Sequence, residues 1–156
     1  MFDTVCWATD GSTAADAALA YAKTLAEEGE TRLVAVHCRE IYVGCGGGYP
    51  VLADDEELIV KIRAQVDSLR DDGIDASSRV ITGSGAAAAH VIAEAAREEK
   101  AHVIVVGTRG HTALGGLLLG SVTQRLLHVA PCPVLVVPAG KHANVREPKL
   151  ETTAAS

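Results

Sequence analysis

The chain has 156 residues, 48% of them hydrophobic, and a formal net charge of −6 at pH 7. This length fits one domain with a sizeable core, and the negative charge argues against non-specific binding to nucleic acids or anionic membranes. No apolar run approaches the roughly 20 residues that span a bilayer. Asp3, Asp10 and Asp16 come too early for a signal peptide, so we expect a cytoplasmic protein.

The cysteine and histidine spacing argues against a structural zinc site. The chain contains no C-x-x-C pair, and its scattered histidines lack metal-ligand spacing. We expect free, mostly buried thiols. The residues concerned are Cys6, Cys38, Cys45, Cys132, His37, His90, His102 and His128, and His111 is expected to point to solvent.

Apolar strand-like segments alternate with amphipathic helical ones along the chain. Gly29 and Gly73 are expected to end the first two helices, and Pro138 the last strand. The strands are predicted at Thr4–Ala8, Arg32–Cys38, Ser77–Ile81, Ala101–Val106 and Pro133–Val137. Helices are predicted after Ser12–Thr13, from Asp54–Glu57, after Gly83–Gly85 and over Ser121–His128. This alternation predicts a single α/β domain with a parallel sheet covered on both faces.

Ligands of such sheets bind beyond the carboxyl ends of the strands, where the strand order switches. The first strand leads into Asp10 and the fourth into Gly107. If these strands are neighbours, both tips line one crevice. Gly120 and Ser121 stand at the head of a helix, where free N–H groups and a positive dipole favour anions. The sequence therefore predicts a phosphate site.

Two common phosphate-loop patterns fit poorly. Gly115 and Gly120 have the spacing of a P-loop, but Ser121 occupies the position that requires lysine, so a P-loop is rejected. The segment Gly83–Ala88 satisfies the permissive dinucleotide pattern G-x-G-x-x-G/A. It follows the third strand rather than the first, and no acidic residue ends the next strand. A helix-entry turn is the preferred interpretation.

A third pattern fits at every defined position: Gly107-x-x-Gly110, then nine residues, then Gly120-Ser121. With this motif the chain resembles the ATP-binding branch of the universal stress protein family. The opening turn Thr9–Ser12 and the last strand also look like that family. The resemblance covers Phe2–Pro138, which gives one nucleotide-binding domain over residues 1–138 and a flexible tail over residues 139–156.

The resemblance implies an open five-stranded parallel sheet of strand order 3-2-1-4-5, of the adenine nucleotide alpha hydrolase-like type. It also implies roles for individual residues, with one departure: family members often carry proline where Ala8 stands. Ala8, Thr9 and Asp10 would lie by the ribose and adenine, and His37 and Cys38 would meet the adenine through backbone groups. Gly107, Arg109 and Gly110 would wrap the ribose and phosphates, and Gly120, Ser121, Val122 and Thr123 would bind phosphates.

Two of these side chains have alternative interpretations. Asp10 is predicted to help hold Mg²⁺ that is bridged by phosphates, or else only to stabilise its own turn. Arg109 is either a phosphate ligand or a solvated loop charge. No general base, and no serine in a G-x-S-x-G setting, is identified. We therefore assign no catalytic residue.

The resulting hypothesis is a regulatory protein that binds ATP with Mg²⁺ and hydrolyses it slowly or not at all. The alternatives are a slow ATPase or a nucleotidyl or phosphoryl transferase, a cyclic-AMP binder, and a structural stress dimer with an empty site. The resemblance suggests a homodimer through the edge strand formed by Val134, Leu135, Val136 and Val137. The loop Gly44–Pro50 is either a cover over the adenine end or an irregular insertion.

Overall fold

The computed structural model describes residues 2–40, 53–83, 87–108 and 119–138. The predictions made for the loop Gly44–Pro50, for Arg109 and Gly110, and for the tail lie outside these residues. Strands and helices alternate in the described part of the chain. They are β1 (Thr4–Ala8), α1 (Thr13–Gly29), β2 (Arg32–Glu40), α2 (Ala53–Asp71), β3 (Ala76–Gly83), α3 (Ala88–Glu98), β4 (Val103–Gly107), α4 (Ser121–Val129) and β5 (Val134–Val137).

The five strands form one parallel sheet in the order β3-β2-β1-β4-β5, which confirms the predicted fold class. β1 lies in the centre, where Val5 pairs with Leu33 of β2 and with Val103 of β4. Every residue of β1 and of β4 is buried, because helices cover both faces of the sheet. None of the described helices is long and apolar enough to cross a membrane.

Two apolar layers form the core, one on each face of the sheet. The first layer combines Trp7 with alanines of α1, such as Ala18 and Ala22, and with apolar residues of α2. The second layer combines alternate residues of the same strands with α3 and Leu126 of α4. The small α1 side chains let that helix lie close to the sheet. The buried Trp7 indole donates a 3.0 Å hydrogen bond from Nε1 to the Ala15 carbonyl of α1.

The observed strand bounds differ from the predicted ones by up to two residues at each end. β2 continues beyond Cys38 because Arg39 and Glu40 pair with Thr82 and Gly83 of β3. Such an extension depends on a partner strand that local sequence patterns do not reveal. β4 ends at Gly107 rather than Val106, because that glycine pairs with Val137 of β5.

Gly107 marks a close approach between β4 and α1. A Cβ atom at Gly107 would lie 2.7 Å from the backbone C and O atoms of Ala14. Because helix backbone cannot move aside as a side-chain end can, we expect Gly107→Ala to lower the free energy of unfolding by about 1–3 kcal/mol. Urea unfolding followed by circular dichroism measures the change. Ser78→Ala, at an exposed strand position, is the control, and equal stability of both variants would contradict the contact.

Cys6 lies wholly inside the second layer of the core. Burial, reinforced by Cys132 and Glu99, raises the pKa of its thiol from 9.0 to about 12. The folded protein therefore keeps the thiol protonated between pH 9 and 12, where the unfolded chain would lose the proton. We expect iodoacetamide at about pH 8 to leave Cys6 unmodified until urea unfolds the chain, because the thiolate is the reactive form. Peptide mass spectrometry measures the labelling, and rapid labelling of Cys6 in the folded protein would contradict its burial as an unreactive thiol.

Candidate functional site

The tips of the two central strands lie side by side at the carboxyl edge of the sheet. Ala8 at the end of β1 pairs with Val106 of β4. Pairing continues one residue past each strand, because Thr9 donates from its backbone N–H to Val36 and Thr108 donates to Val137, both at 2.9 Å. The turn that carries Asp10 is thereby brought next to the segment that leaves Gly107. The first and fourth strands, whose tips are predicted to line one crevice, are therefore neighbours.

The turn after β1 is held by its own side chains. The Thr9 hydroxyl accepts from the Gly11 N–H at 3.1 Å, and Asp10 Oδ1 accepts from the Ser12 N–H at 2.9 Å. Gly11 has a φ of +75°, a conformation that favours glycine. Ser12 then caps α1 by accepting from the Ala15 N–H. Asp10 is therefore a half-buried carboxylate of fixed orientation, and its turn-stabilising role is observed.

The N-terminus of α4 meets the tip of β4. Gly120 is the N-cap residue, with no side-chain hydrogen bond to the cap, and its N–H donates to the Thr108 carbonyl at 2.7 Å. One turn later, the buried Thr123 hydroxyl donates to the Gly107 carbonyl at 2.9 Å. These two bonds fix the direction in which the first N–H groups of α4 point. The Thr123 hydroxyl is an anchor of the helix, whereas Ser121 is exposed at its first position.

A groove of about 650 Å³ begins at this helix end and runs along α4. Such a volume is enough for a small molecule. The exposed Ser121 thus opens onto a space that could accept part of a ligand. The groove is lined by Ala89, His90, Ser121, Val122, Gln124, Arg125, His128 and Val129.

The end of β2 carries a polar cluster that the sequence did not predict. The ring of the buried His37 lies between the Thr9 carbonyl, 2.9 Å from Nδ1, and Asp55 Oδ1 of α2, 3.3 Å from Nε2. The other Asp55 oxygen forms an ion pair with Arg39, which also reaches Glu56 at 3.2 Å. The sequence predicts only a backbone role for His37 and no role at the site for Asp55, because 18 residues of chain separate the pair.

α2 also contacts the turn after β1 directly. Lys61 Nζ donates to the Gly11 carbonyl at 2.9 Å and pairs with Asp16 at 2.8 Å. Gln65 donates to the second Asp16 oxygen at 2.9 Å. A Cβ atom at Gly11 would collide with Leu58, because it would lie 1.8 Å from the Leu58 Cδ1. The turn is therefore packed between the sheet edge and the first half of α2.

The structure brings together most of the predicted site residues. Ala8, Thr9, Asp10, Gly107, Gly120 and Thr123 lie at the tips of β1 and β4 or at the adjoining end of α4. His37 lies on the neighbouring β2, one residue beyond Val36, which pairs with Ala8. The half-buried Cys38 packs on the opposite face, with the α3 layer. The described residues contain no group of three histidine, cysteine or acidic side chains that could hold a metal. Any cation here would take only Asp10 as an acidic ligand from this turn.

The parallel sheet of order β3-β2-β1-β4-β5, with helices on both faces, matches the adenine nucleotide alpha hydrolase-like class of α/β folds. Within this class, the model of the universal stress protein family matches residues 1–138. The universal stress protein in the QAH/OAS sulfhydrylase 3′ region of Thermus aquaticus is 39% identical over 144 residues, covering 88% of this chain and 99% of that relative. The chain belongs to the universal stress protein family.

Solved structures of two nucleotide complexes share the fold. The universal stress protein from Archaeoglobus fulgidus in complex with dAMP is 23% identical, with a TM-score of 0.65, covering 88% of this chain and 98% of that one. A universal stress protein in complex with cAMP is also 23% identical, with a TM-score of 0.62, covering 89% of this chain and 98% of that one. At this identity the likeness extends to the fold alone.

Proposed function

We propose that this protein binds ATP with Mg²⁺ at the carboxyl edge of β1 and β4 and acts as a nucleotide-dependent stress-response regulator. The observation that carries the proposal is the end of α4, which has no side-chain cap and is anchored to the β4 tip beside the Asp10 turn. Fixed N–H groups at a helix N-terminus form an anion site. The first helix, in contrast, is already capped by Ser12.

The residues proposed to contact each part of the nucleotide are those that the family resemblance implies. Asp10 and its neighbours would meet the ribose and adenine, with adenine reaching the backbone of His37 and Cys38. The phosphates would lie at the N-terminal end of α4. Thr123 would bind them through its backbone N–H, because its hydroxyl already donates to the Gly107 carbonyl. The phosphate-proximal set is Gly107, Arg109, Gly110, Gly120, Ser121, Val122 and Thr123.

Mg²⁺ would bind at this site together with the phosphates of the nucleotide. The turn offers the Asp10 carboxylate, and Mg²⁺ commonly takes one or two protein carboxylates together with phosphate oxygens and water. Asp10 would hold the ion together with the phosphates, and the ion would neutralise their charge.

Slow or absent hydrolysis is part of the proposal. Fast turnover requires a general base beside the attacking water. Asp10 is engaged with its turn, and Asp55 is engaged with Arg39 and His37. A slow ATPase or transferase is the alternative, and multiple-turnover release of ADP or pyrophosphate that Asp10→Ala abolishes would establish it.

Cyclic AMP is the competing ligand, because a related structure contains it. The two nucleotides differ in the phosphate chain, which the α4 end would bind. Calorimetric titration of nucleotide-free protein with Mg·ATP, repeated in saturating cAMP, separates them. Saturable ATP binding that cAMP does not displace supports the proposal, and absence of ATP binding, or displacement by cAMP at lower concentration, contradicts it.

We also propose a homodimer through β5. In the described part of the chain β5 pairs only with β4, so its outer edge presents free backbone groups, and Leu135 is 37% exposed. Leu135→Lys, which places charge on this surface, should shift the protein from dimer to monomer in light scattering at micromolar concentration. Val80→Lys, on the opposite edge strand, is the control. A wild-type monomer would contradict the dimer.

A cytoplasmic location completes the proposal. The described cysteines, Cys6, Cys38 and Cys132, are free thiols, and free thiols persist in a reducing compartment. ATP and Mg²⁺ are also supplied there. Fractionation of cells that express the tagged chain tests this placement.

A further inference from the structure

The ring of His37 faces two hydrogen-bond acceptors. Nδ1 lies 2.9 Å from the Thr9 carbonyl, and Nε2 lies 3.3 Å from Asp55 Oδ1. A carbonyl and a carboxylate can only accept, so both ring nitrogens must carry a hydrogen in this arrangement. That species is the imidazolium cation.

The surroundings of Asp55 favour the carboxylate over the acid. Its second oxygen pairs with Arg39, and an arginine guanidinium stays protonated in proteins. A protonated Asp55 would give up this ion pair in order to donate to a neutral ring. Among the described residues, the charged groups that form ion pairs in this cluster are Asp55 from α2 and Arg39 from β2, with Glu56 as the second partner of Arg39.

The bond from His37 acts on the backbone of the Asp10 turn. The Thr9 carbonyl and the Asp10 N–H belong to one planar peptide unit, so fixing the oxygen also fixes the direction of that N–H. The Thr9 N–H is held by Val36 and its hydroxyl by Gly11. His37 therefore restrains the Thr9 carbonyl, and Thr9 immediately precedes Asp10, the predicted ligand residue.

We propose that His37, held as an imidazolium by Asp55, is a positioning residue that orients the Asp10 turn for nucleotide and couples this turn to the start of α2. Its effect on nucleotide affinity rests on the proposed function, whereas its effect on the turn does not. The chemistry is a charge-assisted clamp: one proton bonds the turn and the other bonds the helix. Movement of α2 away from β2 removes the second partner and releases the clamp.

The variant Asp55→Asn tests the clamp, because an amide can donate to Nε2 and removes the need for a second ring proton. Asp71→Asn is the matched control, since it removes one carboxylate from the exposed end of the same helix. Nitrogen-15 spectra of the histidine ring, recorded without nucleotide at about pH 7.5, should show imidazolium in the wild type and in Asp71→Asn. They should show a neutral ring in Asp55→Asn.

Two further measurements test the effect of Asp55→Asn on the Asp10 turn and on nucleotide binding. Amide exchange at Gly11 and Ser12 should be faster in Asp55→Asn than in the control. The dissociation constant for Mg·ATP should rise about five- to tenfold in Asp55→Asn at pH 7.5 and stay at the wild-type value in Asp71→Asn. A merely structural role for Asp55 would leave the ring spectrum of His37 unchanged.

The outcomes separate the two proposals. A neutral His37 in the wild type, or Asp55→Asn with unchanged amide exchange, overturns the clamp even if ATP binds. Unchanged ATP affinity in Asp55→Asn overturns its role in binding. A wild-type protein that binds no ATP overturns the proposed function, and the ring spectra and amide exchange still decide whether the clamp exists.

Discussion

Replacing Trp7 with alanine is expected to lower the free energy of unfolding by about 3–5 kcal/mol. Trp7 is fully buried in the central strand, and its removal leaves a cavity between the sheet and α1 that neighbouring alanines are too short to fill. The Ala15 carbonyl also loses the indole donor at 3.0 Å. For a chain of this length, the loss corresponds to a fall in Tm of about 6–20 °C.

Thermal and urea unfolding followed by far-ultraviolet circular dichroism measure this loss, since Trp7 is the chain's one tryptophan and its fluorescence disappears with it. Trp7→Phe is the matched variant. It keeps an aromatic ring in the core but has no N–H to donate, so its cost should be clearly smaller. A Trp7→Ala protein that unfolds within about 1 kcal/mol of the wild type would show that the core refills the cavity.

Replacing Gly120 with tryptophan is expected to weaken Mg·ATP binding by at least about 100-fold, a loss of roughly 2.7 kcal/mol. The backbone at Gly120 has φ −59° and ψ 151°, which any residue can adopt, so the substitution adds bulk without backbone strain. The indole would stand at the end of α4, where the phosphates are proposed to bind. Calorimetry with nucleotide-free protein measures the affinity.

Leu127→Trp is the control for this experiment. It adds the same indole to the same helix at an exposed position two turns further on, and it should leave the affinity unchanged. Gly120→Ser gives a graded result, because a serine N-cap accepts from the first N–H groups and competes with the phosphate while stabilising the helix. Wild-type affinity in Gly120→Trp would place the phosphates elsewhere.

The sheet was predictable because its signals are local. Continuous apolar strands separated by amphipathic helices require a parallel sheet with both faces covered, and the TVCWA and VIVVG segments are buried as predicted. The order of the strands came from the family resemblance, since the alternation alone fits several orders. The end of β2 was not predictable, because Arg39 and Glu40 become strand only through pairing with β3.

The positions of the glycines, the Asp10 turn and the α4 start in the candidate site were predictable because these signals are local in the sequence. Glycines, an aspartate turn and a helix start have fixed positions along the chain, and the spacing from Gly107 to Gly120 carries the motif. The contacts that α2 makes with this turn were not predictable. Lys61 reaches Gly11 across 50 residues, and the choice of partners depends on how α2 packs on the sheet. Side-chain pairs of this kind leave no periodic signal in the sequence.

The central position of β1 has a consequence for how the chain is made. Val5 pairs with Val103, so after its own synthesis β1 waits about 100 residues, or about 5–20 seconds of translation, for its neighbour β4. During that time the nascent chain exposes one edge of an apolar strand that contains Trp7. A strand edge of this kind pairs readily with other chains. Chains that terminate before β4 are therefore expected to aggregate more readily than the full chain.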